Sequence, residues 1–276
     1  ELLINYAVTA LENPAEEIRL MSVQFMNCLV NQKEDVNVSL EKIKNIIENI
    51  SYSENICINF LKSKIAGKLG MDEELIGKYN QLISYDRNKT SDLFLNNLKA
   101  ATPWNVKTVN IDFIMDNIKK SNEVTLLQTA THLCNLVKVS AKESVRNKAG
   151  NSLLEIGPLL SIDQRNEISM ELIKGLEMDE LQFAKYIPEY LGRFVLLLHP
   201  KELDEFIIDL KNIYKGSNER ASSLAIDTFS VVVQYYPIYK DRFVESYEAY
   251  NNRLVKILGI ILSGLANYNV QIKQET

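Results

Sequence analysis

Helix-start signals recur along this sequence at nearly constant spacing. Each signal is a capping residue followed in the first turn by Pro or by an acidic or amide residue. The capping positions are Asn13, Ser51, Thr102, Ser140, Asp179 and Ser217. Their successive intervals are 38, 51, 38, 39 and 38 residues. A period of this length indicates a fold built from stacked copies of one supersecondary unit.

One copy, residues 140–160, shows what the unit is. Ser140 and Glu143 have the spacing of a capping box, which predicts a helix start. Apolar and small residues then recur on one helical face over 145–156. Gly157 is expected to adopt the left-handed conformation that ends a helix, and Pro158 prevents continuation.

The same pattern predicts the organisation of the whole chain. A shorter amphipathic segment precedes each capped helix, so each period reads as a helix, a turn and a second helix. We also expect Gly70, Gly175 and Gly216 to mark helix ends, and Pro188 to kink or split its helix. The segment near 70–88 is interpreted as an insertion that lengthens one interval. The second helices are predicted near 13–31, 51–69, 102–120, 140–157, 179–198 and 217–236.

The second helices resemble those of HEAT repeats. Val145-Arg146 followed by Ala149 is similar to the Val-Arg-x-x-Ala pattern of that family. Ile18-Arg19 resembles it too, Lys185 takes the Arg column in a later copy, and Cys57, Thr108 and Ser223 depart from it. The resemblance implies an all-α, right-handed superhelix of about six to seven helix pairs, a HEAT-like or armadillo-like solenoid. We expect it to be one domain over 1–276.

Residue patterns that carry chemistry are missing from the sequence. His132 and Cys134 are two residues apart and do not share a helix face, and His199 precedes a Pro at a helix start. No zinc, phosphate-loop, dinucleotide or nucleophile-elbow motif is present. We therefore predict no catalytic, cofactor-binding or metal-binding residues, no cofactor, and no enzyme activity in this chain alone.

Composition bears on partners and compartment. The 276 residues carry a net charge of -5, which disfavours general nucleic-acid binding. Three widely spaced cysteines in apolar stretches predict buried free thiols in a reducing, cytoplasmic setting. The absence of a signal peptide and of a long apolar run argues against a membrane protein. The start at Glu1, in mid-pattern, suggests a fragment of a longer polypeptide.

An aromatic and basic segment near the C-terminus is the strongest candidate for a binding surface. Tyr239, Phe243 and Tyr247 are four residues apart and would form a stripe on one helix, with Lys240 and Arg253 nearby. One interpretation is packing of the last helices against the preceding repeat. The other is a partner-binding surface, since Tyr and Arg are favoured at interfaces. The possible partner-binding residues are Tyr239, Phe243, Tyr247, Arg146 and Lys185.

These observations predict a non-catalytic protein-interaction or scaffold solenoid that regulates or positions a larger protein. The expected partner is a protein or another domain of the same polypeptide, and the sequence leaves the oligomeric state open. One alternative is a nucleic-acid-binding HEAT-like domain similar to HEAT-like DNA glycosylases. Another is an accessory domain of an enzyme whose catalytic domain lies outside this chain.

Overall fold

Helix dominates the parts of the chain that the computed structural model describes, residues 2–31, 37–49, 53, 55–83, 95, 98, 102–242 and 245–265. Within these ranges the chain contains α-helices and short 3-10 turns and no strand, so the predicted all-α class is confirmed there. Contacts divide the chain into unit 1, Glu1–Asn117, and unit 2, Ile118–Thr276. No helix of the described residues is long and apolar enough to span a bilayer.

Unit 1 is built from helices of 10 to 16 residues in the described part of the chain. Those that the structure describes are α1 (Leu2–Leu11), α2 (Glu16–Asn31), α3 (Asn37–Asn49), α4 (Ile56–Lys68), α5 (Glu73–Ile83) and α6 (Trp104–Asn117). The helices α2, α4 and α6 contact one another in turn. They lie within the first three segments expected to be second helices, and α5 lies within the expected insertion. Residues 84–88 of that insertion lie outside the described ranges.

The core of unit 1 combines aromatic packing with buried side-chain-to-backbone hydrogen bonds. Phe60 of α4 meets Phe113 of α6 edge to face, with ring centroids 5.2 Å apart. The Tyr79 hydroxyl of α5 donates to the Ile47 carbonyl of α3 at 3.1 Å. Such bonds fix how neighbouring helices pack, because a buried hydroxyl left without a partner is costly.

Unit 2 begins with a 3-10 turn at Ile118–Lys120. Its α-helices are α7 (Glu123–Val139), α8 (Glu143–Ile156), α9 (Ile162–Glu177), α10 (Ile187–Phe194), α11 (Pro200–Tyr214), α12 (Glu219–Arg242) and α13 (Tyr247–Leu265). Further 3-10 turns are Gly157–Leu159, Ala184–Tyr186 and Val195–Leu197. The helices α8, α10 and α12 contact one another in succession, as do α7, α9, α11 and α13. Unit 2 therefore has two helical layers.

The core of unit 2 lies between these layers. On α8, Val145, Ala149, Leu153 and Ile156 have no exposed surface, which is the face expected from their spacing. Fully burying one Val, Leu or Ile side chain contributes about 1.5–3 kcal/mol. This face fixes how α8 is rotated and therefore which of its polar residues face outward.

Several helices begin at a different residue from the one the sequence suggested. The capping box of Ser140 and Glu143 does not form: α8 begins after Lys142, and the Ser140 hydroxyl donates to the Lys142 carbonyl instead, at 3.4 Å. A capping box is present at Ser161 and Gln164, at the start of α9. At α12 the capping side chain is Asn218, whose Oδ1 accepts the Ala221 amide at 3.0 Å.

The glycines that were predicted to end helices differ in backbone conformation and in their place along the helix. Gly70 has φ +62, the left-handed conformation expected after a helix. Gly157 was expected to share it, but its φ is -48, and the chain continues into a 3-10 turn. Gly175 lies inside α9 rather than at its end, where a Cβ would come within 2.8 Å of the Ile187 side chain. Its role is close packing and not termination.

The segment 179–183 is not helical, although a capping box was predicted at Asp179. Its polar groups contact the start of α12 instead: Asn218 Nδ2 donates to Asp179 Oδ1 at 2.9 Å, and Arg220 Nη1 donates to the Asp179 carbonyl at 2.6 Å. The α-helix begins at Ile187, with Pro188 in its first turn. Pro is tolerated there because the first-turn amides have no intrahelical partner.

Candidate functional site

The arginine column that resembles HEAT repeats has a structural role in both units. Arg19 Nη1 donates to the Asn13 carbonyl at 2.7 Å, and Arg146 Nη1 donates to the Ser140 carbonyl at 2.9 Å. In each case the acceptor lies six residues earlier, in the turn before the helix that bears the arginine. These hydrogen bonds hold that turn against the helix that follows it. Lys185, the third member of the column, is exposed.

Arginine side chains of unit 2 also lie over tyrosines of other elements of this unit. The Cζ atom of Arg146 on α8 lies 3.6 Å from the ring centroid of Tyr186, in the turn before α10. Arg193 on α10 stacks in the same way on Tyr235 of α12, at 5.1 Å. A guanidinium over an aromatic face is attracted by the ring quadrupole. We call Arg146, Lys185, Tyr186, Arg193 and Tyr235 the Arg–Tyr surface.

Glycines set how closely the helices that bear this surface approach. A Cβ on Gly150 of α8 would lie 2.2 Å from the ring of Tyr190 on α10. The Tyr190 hydroxyl in turn donates to Asn147 Oδ1 at 2.9 Å, and burial raises the pKa of that hydroxyl. A Cβ on Gly192 would lie 2.7 Å from the side chain of Val231 on α12. The close packing positions the arginine of one helix over the tyrosine of the next.

The charges of the Arg–Tyr surface are not all balanced. Arg193 Nη1 pairs with Glu189 Oε1 at 3.3 Å on the same helix. Arg146 is 2% exposed, yet no described carboxylate pairs with it, and its buried Nε has no acceptor within the described ranges. Lys185 lies beside the same tyrosine, with Nζ 5.1 Å from the Tyr186 centroid. Tyr186 is 37% exposed, so one part of the ring faces solvent.

The predicted C-terminal stripe does not form on one helix. Tyr239 lies in α12 and Tyr247 in α13, and Glu245 and Ser246, which precede α13, are not helical. Ser246 caps the new helix, since its Oγ accepts the Ala249 amide at 3.1 Å. Tyr247 is 71% exposed and Tyr239 is 1% exposed. Phe243 lies outside the described residues.

Tyr239 belongs to a buried cluster around Arg253 of α13. The rings of Tyr236 and Tyr239 stack at 5.5 Å, and the Arg253 guanidinium lies 5.5 Å from the Tyr239 centroid. Arg253 forms two hydrogen bonds each with Asp204 of α11 and Glu245, at 2.7–3.1 Å. Desolvation and the nearby Glu245 raise the pKa of Tyr239. The contacts of Tyr239 are those expected from the packing interpretation, and whether Tyr247 binds a partner stays a prediction.

The thiols differ in accessibility. Burial raises the pKa of both Cys57 and Cys134 to about 12, so both stay protonated at neutral pH. Cys28 is exposed, which corrects the expectation that all the cysteines are buried. Over the ranges that the structure covers, no group of three or more His, Cys, Asp or Glu side chains is placed to hold a metal ion.

A shallow groove of about 490 Å³ lies between α9, α11 and the start of α12. Its charged lining groups are Lys174, Glu177 and Asp209. Lys174 is paired outside the lining, with Glu171 at 2.8 Å, which lowers the pKa of Glu171. With Lys174 paired, Glu177 and Asp209 give the groove a net acidic lining.

Comparison with known proteins gives little further information. No protein-family model matches this sequence, and no curated protein matches it. Among solved structures, the chain is similar to the crystal structure of an engineered protein, at 10% sequence identity and a TM-score of 0.38. The similarity covers 99% of this chain and spans 66% of the length of the engineered one. A TM-score of this size carries no argument about fold or function.

Proposed function

We propose that this chain is a non-catalytic protein-interaction scaffold, a HEAT-like solenoid that positions or regulates a protein partner or another domain of a larger polypeptide. The second helices of unit 2 are its binding surface. The observation that carries the proposal is the Arg–Tyr surface, where arginines of successive second helices stack on partly exposed tyrosines. Arg and Tyr are the residue types that most often dominate protein–protein binding energy.

The physical basis is the rigidity of this surface. Arg146 and Tyr186 are held by a backbone hydrogen bond, by each other and by the packed helices below, so they lose little side-chain entropy on binding. Acidic side chains also lie near this surface: Glu189 pairs with Arg193, and Glu143 and Glu189 both influence the Tyr190 hydroxyl. Mixed charge suits a protein partner better than a nucleic-acid backbone, which needs a continuous basic patch.

Site-specific photo-crosslinking tests the proposal. A photoreactive amino acid replaces Asn151 of α8 or Gln234 of α12, both exposed, in the full chain. A matched position, exposed Lys211 of α11, serves as the control on the other helical layer. Each protein is irradiated in extract of its source cells, and adducts are identified by mass spectrometry.

We expect the same protein to be crosslinked from Asn151 and from Gln234 and to be absent from the Lys211 sample. Nucleic acid as the main adduct would favour the nucleic-acid-binding alternative. A protein captured equally from all the positions, or none from the second helices, would contradict the proposal.

A further inference from the structure

The groove between α9, α11 and the start of α12 is a recess that the proposed function does not use. Its volume is about 490 Å³, within the range of roughly 300–1,000 Å³ that ligand pockets occupy. Residues of both helical layers of unit 2 line it, so the packing of these layers sets its shape. The groove and the Arg–Tyr surface have no residue in common.

The floor of the groove is apolar. Ile173 of α9 is 3% exposed and Ala221 of α12 is 1% exposed, and the half-buried Met170 and Ile213 line the groove beside them. Half-buried apolar side chains gain free energy when a ligand removes them from water. Met also fits neighbours of different shape, because its side chain is unbranched and flexible. The groove can therefore receive an apolar side chain of a ligand.

The rim of the groove is acidic. Glu177 is exposed at the end of α9 and Asp209 is half-buried on α11, and among the described residues no basic side chain pairs with either carboxylate. The lysine that lines the groove, Lys174, is held by Glu171, whose Oε1 accepts a hydrogen bond from its Nζ at 2.8 Å. The groove therefore presents two carboxylates that are accessible to a cation of a ligand.

Helix ends add to the negative potential of the groove. Helix α9 ends at Glu177, and α11 ends at Tyr214, close to the lining residue Gly216. The last carbonyl groups of a helix have no intrahelical partner and carry the negative end of its dipole. The start of α12 brings a positive dipole end, but there Asn218 Oδ1 accepts the Ala221 amide at 3.0 Å. Two helix ends against one capped start favour a cation.

We infer that this groove binds a basic segment of a protein partner, in which an Arg or Lys residue lies next to an apolar one. The cation would contact Glu177 and Asp209 at the rim, and the apolar side chain would pack on Met170 and Ile213. A small organic cation could meet the same carboxylates but would leave the apolar floor uncovered. The inference goes beyond the scaffold proposal and does not depend on it, because the groove lies outside the Arg–Tyr surface.

Methyl NMR of the full chain tests the groove directly. Isotope labelling of the methionine methyl groups gives one signal for each of the six methionines, and the signal of Met170 is assigned by its loss in Met170→Leu. The probe, called the Arg-Leu peptide, is acetyl-Gly-Arg-Leu-Arg-Gly-amide. One control peptide has Gln in place of each Arg, and the other has Ser in place of Leu. Spermidine serves as the small organic cation.

Asp209→Asn and Asp163→Asn are a matched pair of variants. Each removes one carboxylate charge from unit 2, but Asp163 lies in the first turn of α9, at the opposite end of that helix from Glu177. Asp209→Asn should raise the Kd of the Arg-Leu peptide about threefold, while Asp163→Asn leaves it unchanged. The methyl signals of Met26 and Met71, which are buried in unit 1, should not respond to the peptide.

A saturable shift of the Met170 signal with the Arg-Leu peptide, and a higher Kd for both control peptides, would support the inference. Equal effects of Asp209→Asn and Asp163→Asn would overturn it by showing diffuse charge attraction. Spermidine or either control peptide binding as tightly as the Arg-Leu peptide would overturn it as well. So would a Met170 signal that does not respond to the Arg-Leu peptide at all.

The chain without peptide tests the other possible occupants of the groove. A shift of the Met170 signal as the chain is concentrated would show that a second copy covers the groove. A shift on removal of residues 266–276 would assign the groove to those residues. Either result would overturn the inference. Neither depends on the crosslinking experiment, because Asn151, Gln234 and Lys211 lie outside the lining of the groove.

Discussion

Buried cations are costly to place, and this protein accommodates them in different ways. Arg253 is 3% exposed and is surrounded by carboxylates and a tyrosine hydroxyl. Arg146 relies on a carbonyl and an aromatic face. Lys62 is 1% exposed, its Nζ lies 5.9 Å from the Tyr79 ring centroid, and desolvation lowers its pKa to about 8. These differences lead to different predictions for their removal.

Replacing Lys62 with Met should change how stability depends on pH. The pKa of Lys62 falls from 10.5 to about 8 on folding, so between these values the unfolded chain binds more protons than the folded one. The stability of the wild type should therefore rise with pH across this window, relative to the variant. Below pH 8 Lys62→Met removes a penalty of about 3 kcal/mol. Urea unfolding of both proteins from pH 7 to 10 measures the difference.

Lys68→Met is the matched control, because Lys68 is an exposed residue on the same helix. The free energy of unfolding of Lys68→Met should differ from that of the wild type by the same amount at every pH of this range. If the Lys62→Met and wild-type curves run parallel as well, then Lys62 is not desolvated in the folded protein.

Arg253→Met should destabilise unit 2 strongly. The substitution leaves Glu245, whose side chain is 13% exposed, without its counterion, and it also removes the partner of Asp204. Breaking a buried pair from one side costs about 3–5 kcal/mol, because the remaining charge stays desolvated. Thermal unfolding followed by circular dichroism measures the loss.

Neutralising the carboxylates together with Arg253 separates charge from packing. The triple variant Arg253→Met, Asp204→Asn, Glu245→Gln should recover most of the lost stability, since no buried charge is left unpaired. A triple variant as unstable as Arg253→Met would show that the loss came from packing on Tyr236 and Tyr239.

At the scale of single helices, periodicity predicted the buried faces better than the helix starts. The apolar face of α8 is the expected one. Helix starts were misplaced where several residues that can cap a helix lie within a few positions of each other. Ser217 and Asn218 before α12 are an example. The prediction that Tyr239 and Tyr247 share one helix was also wrong, because it overlooked Ser246 as a capping residue that begins a new helix.

The candidate site could be predicted only in part. Arg146 and Lys185 could be singled out from the sequence because they occupy the same column of the predicted repeat. Tyr186 and the acidic partners of Arg253 were not, because these contacts depend on tertiary packing. Arg253 and Asp204, for example, are 49 residues apart in sequence, and no local pattern joins them.

Close helix packing predicts opposite effects for two glycine-to-alanine substitutions. In Gly192→Ala the new Cβ would lie 2.7 Å from Val231 Cβ and 3.0 Å from the Thr228 carbonyl oxygen, so α10 and α12 must move apart. We expect a loss of about 1–3 kcal/mol. A Cβ added to Gly259 in α13 would meet no neighbouring atom within 4 Å. Gly259→Ala should therefore stabilise by about 0.5–1 kcal/mol through helix propensity.

Melting temperatures of the two variants and the wild type check this prediction. The two substitutions add the same methyl group to helices of the same unit, so they differ only in the space around it. A stabilising Gly192→Ala would mean that α10 and α12 are not in close contact.

At the scale of the whole molecule, each unit has its own core. Phe60 and Phe113 anchor unit 1, while Phe194 and Phe229 are fully buried in unit 2. The amides of each unit are protected mainly by its own core, so local damage in one unit need not spread to the other. The division into units therefore predicts where a destabilising substitution is felt.

A matched pair of substitutions tests that division. Phe60→Ala and Phe194→Ala each remove a buried aromatic side chain, 6% and 0% exposed, at a cost of about 3–5 kcal/mol. Hydrogen exchange followed by mass spectrometry should show faster exchange mainly in peptides of 2–83 for Phe60→Ala. For Phe194→Ala the faster exchange should occur mainly in peptides of 123–242. Local opening exposes the amides of the damaged unit first, because their protection depends on its own core. If either variant accelerates exchange equally in both ranges, the units unfold together and the chain behaves as one cooperative domain.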